Sequence, residues 1–223
     1  MSSEGTNFLY PFIDAEESDA GSLLADLASS AEAKGRESGR LRLLTFDRTA
    51  SLLDVIATGM AEQFGNGGRL FVFGNGGSST DAGGVVSLFR TPPWGQALHA
   101  RSLVAEQAVL TALGNDVGFE LVFSRQLIAH ARAGDIALGI STSGNSTNLV
   151  TAFAEARRRD MLTVGLAGYD GGQMASSPHV DHCLVVPADS VHRIQETQAA
   201  LIFELWSRVQ AALASKVGSP NDN

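Results

Sequence analysis

Lysine is almost missing from this sequence: Lys34 and Lys216 are the only two in 223 residues, and both lie towards the ends. The centre has no amine for a Schiff base and no phosphate-loop lysine, which excludes a Schiff-base aldolase and a P-loop nucleotidase. Any phosphate bound there must be held by amides, hydroxyls or arginine. Cysteine is equally scarce. Cys183 alone cannot form an internal disulfide or a multi-cysteine zinc site, which fits a reducing compartment and makes the cytoplasm the simplest address. Positive charge is in deficit, with 16 Lys+Arg against 24 Asp+Glu and a net charge of −8, so neither nucleic acid nor an anionic membrane is an expected partner. No apolar run is long enough to span a bilayer, and residues 1–30 lack the basic-then-apolar order of a secretion signal.

What remains is an ordinary globular composition, 44% hydrophobic and 18% charged, sufficient for one core. Residues 1–20 show no periodicity and read as an arm. Helical spacing follows over 22–39 and again over 46–64, where Leu52, Leu53, Ile56, Met60 and Phe64 form a stripe. The glycines around 35–39 and 65–68 predict an end for each helix. The pattern then changes to short β-rich runs, each passing through small residues into a helical stretch. Strands are expected over 70–73, 97–103, 136–140, 162–166 and 183–186, and helices over 78–89, 118–131, 146–159 and 190–216. Such alternation predicts a parallel five-stranded sheet flanked by helices, with ligands beyond the carboxyl ends of the strands. We expect a single domain over 21–216 and a short tail, 217–223.

Two loops stand out. Gly74-Asn75-Gly76-Gly77-Ser78-Ser79 follows a buried strand and opens a helix. It reads either as an anion cradle or as a tight strand-to-helix turn. It is not a dinucleotide fingerprint, because Ser79 stands where the third glycine belongs. In Ser141-Thr142-Ser143-Gly144-Asn145-Ser146, four hydroxyls converge on a helix start, where free N–H groups and the helix dipole favour a phosphate without any lysine. The competing reading is that Ser146 simply caps the helix.

These loops carry a resemblance. Gly74 to Ser78, then Leu110-Thr111-Ala112-Leu113-Gly114-Asn115-Asp116-Val117-Gly118-Phe119, Phe123-Ser124-Arg125-Gln126, Gly134-Asp135, Gly139 to Ser146, and Arg193-Ile194-Gln195-Glu196 occur in the order found in bacterial phosphoheptose isomerases. These are sugar-isomerase (SIS) domain proteins, and the similarity runs over about 46–206. The resemblance implies a three-layer α/β/α sandwich, a homotetramer or dimer, and interconversion of sedoheptulose 7-phosphate with an aldoheptose phosphate. It also implies that Asn75, Gly76, Gly77 and Ser78, with Asn115 and Asp116, line the substrate. Ser141, Thr142, Ser143 and Ser146 match the phosphate-binding hydroxyls, and Gln195 matches a glutamine that touches substrate and metal.

The catalytic positions depart from that pattern. Zinc-dependent members are similar to one another in placing a histidine and a glutamate four residues apart after the first loop, and a second histidine eight residues beyond the glutamine. Here those positions read Gly84, Leu88 and Phe203. None can ligate zinc or carry a proton, so no metal is expected. Substitutes are conceivable in Glu196, Asp116 and His192, although Glu196 lies about 100° around a helix from Gln195. His130, His179 and His182 show no ligand spacing, and Cys183 in an apolar strand reads as a core residue. Three functions compete: a phosphosugar-binding protein with weak, altered or no catalysis, an isomerase with a rearranged zinc-independent acid/base pair, and a regulatory or scaffold subunit for a protein partner. A mixed oligomer could also supply the missing groups from another chain.

Overall fold

The computed structural model describes residues 20–217. The chain divides into two compact units, Met1–Arg40 and Leu41–Asn223. The described part of the first is helical, with an exposed Glu32–Arg36 ion pair one turn apart. One expectation is corrected here. Instead of helices over 22–39 and 46–64 there is one helix, α1 (Ala20–Gly65). Gly35 and Gly39 have nothing within 4 Å of an added Cβ, and neither has a positive φ. A glycine in regular helical geometry weakens a helix by about 1 kcal/mol without ending it. The expected arm and tail lie outside the described residues, save Ala20 and Val217, which are helical.

The second unit continues from α1 into β1 (Leu70–Gly74), α2 (Gly77–Arg90), β2 (Ala100–Ser102), α3 (Gln107–Asp116), a 3-10 turn (Phe119–Leu121) and α4 (Val122–His130). Then come β3 (Ile136–Ile140), α5 (Thr147–Arg158), β4 (Leu162–Gly168), α6 (Gly172–Ser176), β5 (His182–Val186) and α7 (Val191–Val217). All five strands pair in parallel, in the order β2-β1-β3-β4-β5. The five expected strands are present; α3 and α6 were not anticipated. Among the described residues, no helix is long and apolar enough to cross a membrane.

The strands are apolar at nearly every position because both faces of the sheet are covered. Alternation then sends neighbours to opposite layers. Leu70, Val72, Ile136, Leu138, Ile140, Val164 and Leu166 join one buried cluster with Ala82 and Val85 of α2, Trp206 of α7, and Leu53, Ile56 and Met60 of α1. Phe71, Phe73 and Ala137 face the other, with Phe123 of α4, Phe153 of α5 and Met174 of α6. The helix stripe expected over 46–64 thus has Leu53, Ile56 and Met60 fully buried.

The strand order reverses between β1 and β3. β1 leads through α2 to an outer neighbour on one side, while β3 leads through α5 to a neighbour on the other. The two strands end in register, Gly74 beside Ile140, so the loops that follow emerge side by side at the switch point, where α/β sheets bind ligands.

Two outcomes test this packing. A Cβ on Gly139 would meet Phe153 at 2.6 Å and Phe73 at 2.9 Å; Gly139→Ala should lower unfolding free energy by about 1–3 kcal/mol in urea melts, and adding Phe153→Leu should recover part of it. Burial pushes the Cys183 thiol up to about 12, so at about pH 8 iodoacetamide should label only unfolded protein. Rapid labelling of the native chain would contradict that burial.

Candidate functional site

The first loop is shaped by close backbone approaches. A Cβ on Gly74 would lie 2.7 Å from the Ser78 carbonyl oxygen and 2.8 Å from that of Ile140, and Gly76 has φ 54 and ψ −124, a conformation reserved for glycine. The Ser78 N–H donates to the Asn75 carbonyl at 3.0 Å and the Ser79 N–H to that of Gly76 at 3.0 Å. Ser78 is buried on the inner face of α2, and Ser79 bonds back to Gly76 through its hydroxyl.

In the second loop, Ser141 Oγ accepts from the Gly144 N–H at 3.0 Å and lies 3.5 Å from Ser146 Oγ. Gly144 adopts φ 66, and the Gly171 carbonyl oxygen stands 2.1 Å from where its Cβ would be. Ser143 Oγ accepts from the Asn145 N–H at 3.2 Å. Ser143 is exposed and Thr142 and Ser146 are half-buried. Ser146 occupies the N-cap of α5, yet its side chain makes no cap hydrogen bond and meets the Ser141 hydroxyl instead; its carbonyl accepts from Leu149 at 3.0 Å and Val150 at 3.1 Å. The reading in which Ser146 merely caps the helix is therefore set aside. The opening N–H groups of α5 thus have no side-chain cap from Ser146.

The loops are tied together. Asn75 and Asn148 exchange two amide hydrogen bonds, both 2.9 Å. Beside this pair lies an open cleft of about 530 Å³ lined by Asn75, Phe119, Glu120, Ser146, Thr147 and Asn148. From α7, the Gln195 amide reaches the first loop: its Nε2 would be 2.6 Å from a Cβ on Gly77, and it donates to Asp81 Oδ2 at 3.3 Å. One turn later, buried Gln198 donates to the Ser141 carbonyl at 3.2 Å. Two glutamines one turn apart thus connect α7 to both regions, Gln195 lying against Gly77 and bonding to α2, and Gln198 bonding to the second loop. Burial raises the Asp81 pKa above the ordinary 3.8, and the Gln195 bond partly opposes it.

Of the residues singled out from the sequence, Asn75 and Ser146 line the cleft, with Gly76, Gly77 and the rest of 141–145 in the loops that frame it. Asn115 and Asp116 bond to each other at 2.8 Å on the exposed end of α3 and do not line it. Glu196 is ion-paired with Arg193 at 2.5 Å, and His192 is exposed in the first turn of α7. Gly84 has open space over its Cα, Leu88 packs against the core, and Phe203 lies 5.2 Å from the Trp206 ring. Sequence reasoning missed Glu120, Thr147, Asn148, Asp81 and Gln198. Asp81 was accessible in principle, four residues beyond Gly77 and so on the same helix face; the Asn75–Asn148 pair, 73 residues apart, was not.

Comparison with known proteins agrees with this geometry. The family model described as SIS domain matches residues 37–168. The phosphoheptose isomerase of Roseiflexus sp. (strain RS-1) is 42% identical over 171 residues, covering 74% of this chain and 85% of that one. That of Pelobacter propionicus is 44% identical over 166 residues, covering 73% and 86%. Among solved structures, phosphoheptose isomerase from Neisseria gonorrhoeae superposes with a TM-score of 0.76 at 35% identity, covering 83% of this chain and 99% of its own. The Francisella tularensis enzyme gives 0.77 at 28%, covering 82% and 98%. The parallel sheet, the paired small-residue loops at its switch point and these matches lead to one conclusion: the chain belongs to the SIS-domain family and is of the phosphoheptose isomerase type.

Proposed function

We propose that this chain binds a phosphorylated sugar resembling sedoheptulose 7-phosphate, and that isomerisation of the family kind is weak, altered or absent. The observation that carries the binding half is the uncapped start of α5. There Ser146 and the neighbouring hydroxyls can donate to phosphate oxygens, supported by the helix dipole. Asn75, Asn148 and Glu120, with the Phe119 ring, suit the hydroxyls and carbons of a sugar extending along the cleft. A homo-oligomer is the arrangement that would cover the half-exposed rings of Trp94 and Phe203.

The catalytic half rests on donor chemistry. At the positions where the family resemblance places zinc ligands, Gly84, Leu88 and Phe203 supply no lone pair. The Gln195 amide beside Asp81 is too small a donor set for a tetrahedral zinc site. The residues present do not fit the metal.

A second reading is an isomerase without metal, and one contact favours it. Aldose–ketose exchange removes a proton from C1, delivers one to the C2 carbonyl oxygen, and then returns a proton to C2 as the C1 hydroxyl becomes the carbonyl. Asp81, half-buried with a raised pKa and bonded to Gln195, which the resemblance assigns to substrate contact, is a better proton carrier than the ion-paired Glu196.

Calorimetry with sedoheptulose 7-phosphate should show binding, and Ser143→Ala with Ser146→Ala should weaken it by about 10–100-fold, the loss expected for hydrogen bonds to a charged group. No heat with the parent chain would count against the binding site. In an isomerisation assay, added zinc should give no stimulation; a chelator-sensitive, zinc-dependent rate would refute the proposed absence of metal. Any metal-free rate should rise with pH as Asp81 loses its proton and should vanish in Asp81→Asn while surviving in Glu196→Gln. The reverse pattern would return the role to Glu196.

A further inference from the structure

A chain with a net charge of −8 gathers five basic side chains at the opposite end of its sheet from the cleft. Arg69 immediately precedes β1, Arg90 closes α2, His99 and Arg101 flank the first residue of β2, and His130 closes α4. Arg69, Arg90, His99 and Arg101, with Phe71 and Ala100, line a recess of about 180 Å³. That is room for about six waters, enough for a phosphoryl group or a diphosphate and too little for a polymer.

Among the described residues, the one carboxylate ion-paired with this cluster, Asp135, is already saturated. Asp135 is fully buried and accepts four hydrogen bonds: from the Arg69 N–H at 2.9 Å, Nε at 3.2 Å and Nη2 at 2.7 Å, and from the Arg132 N–H at 2.9 Å. Arg69 Nη2 also donates to the His130 carbonyl at 2.7 Å, and its guanidinium lies 5.3 Å from the centre of the Phe71 ring. Arg69 is therefore a rigid wall of the recess. Arg90 and Arg101 are exposed and have no ion-pair partner among the described residues. The His130 pKa is lowered by burial first and then by Arg101 and Arg69, which places it within reach of their positive charge.

One fixed and two unpaired guanidiniums around a small recess form a receptor for planar or tetrahedral oxyanions. We propose that this recess at the β1–β2 edge is a second anion site, which takes the phosphoryl group of a small phosphorylated ligand independently of the cleft at the other end of the strands. The net negative charge of the whole chain disfavours long polyanions there. The site does not rest on the sugar-phosphate reading of the serine loop, and its test separates the two.

The full-length chain is titrated with inorganic phosphate, pyrophosphate, ATP and sedoheptulose 7-phosphate, by calorimetry and by NMR of the histidine imidazoles. Pyrophosphate should bind, and its occupancy should move the His130 titration upwards as the anion offsets Arg101 and Arg69. The double variant Arg90→Gln with Arg101→Gln, at exposed positions, should weaken pyrophosphate by about tenfold or more and abolish the His130 shift. Arg101→Lys should retain part of both. Ser143→Ala with Ser146→Ala should leave pyrophosphate binding unchanged while weakening the sugar phosphate. The ranking among the four probes identifies the source of the phosphoryl group. The proposal is overturned if none of the four moves His130, or if pyrophosphate binding survives the arginine double variant and disappears in the serine one.

Discussion

The site depends on the parallel, in-register pairing of β1 with β3. Gly74 lies beside Ile140, so the chain leaves both strands at the same height before turning in opposite directions across the sheet. The divergence opens a gap that neither crossover closes. Gly74 is part of the same constraint, because the main-chain oxygens of Ser78 and Ile140 leave no space for a side chain there. The Asn75–Asn148 amide exchange can form only because the pairing has brought two distant loops to bonding distance.

Around that gap, α7 acts as a brace. Gln195 and Gln198 sit one turn apart and reach different loops, the first through Asp81 and the Gly77 backbone and the second through the Ser141 carbonyl. The helix is held in turn by Leu201, Leu205, Trp206 and Val209 in the core cluster on that face of the sheet. Packing far from the cleft therefore sets the height at which the loops stand. The two ends of the sheet also differ in the groups they present: hydroxyls and main-chain N–H groups at the carboxyl end, guanidiniums at the amino end, where Asp135 fixes Arg69.

Much of the sheet was legible in the sequence because a strand buried on both faces is a short apolar run, and 136–140 matches the expectation residue for residue. The glycine and serine loops were legible for the same reason, as interruptions of that pattern. The long α1 was not, because Gly35 and Gly39 look like terminators until their φ angles are known to be ordinary. α3 escaped notice because it has no buried residues, and α6 because five residues do not show a helical period. The site was only half visible. Hydroxyls at a helix start announce themselves, whereas Asn148 and Gln198 matter through partners 73 and 57 residues away. Asn115 and Asp116, adjacent in sequence to the cleft-lining 3-10 turn, bond to each other on the exposed end of α3.

The contact between Gly144 and the Gly171 carbonyl has a consequence for how this loop can vary. The β4-to-α6 turn, with Gly171 and Gly172 both at positive φ, presses main chain directly on main chain, and Ser141 and Asn145 pin the serine turn against it by accepting from the Gly144 and Gln173 N–H groups. The two kinds of exchange differ in reach: replacing exposed Ser143 removes one acceptor, that of the Asn145 N–H, whereas any side chain introduced at Gly144 displaces the turn itself.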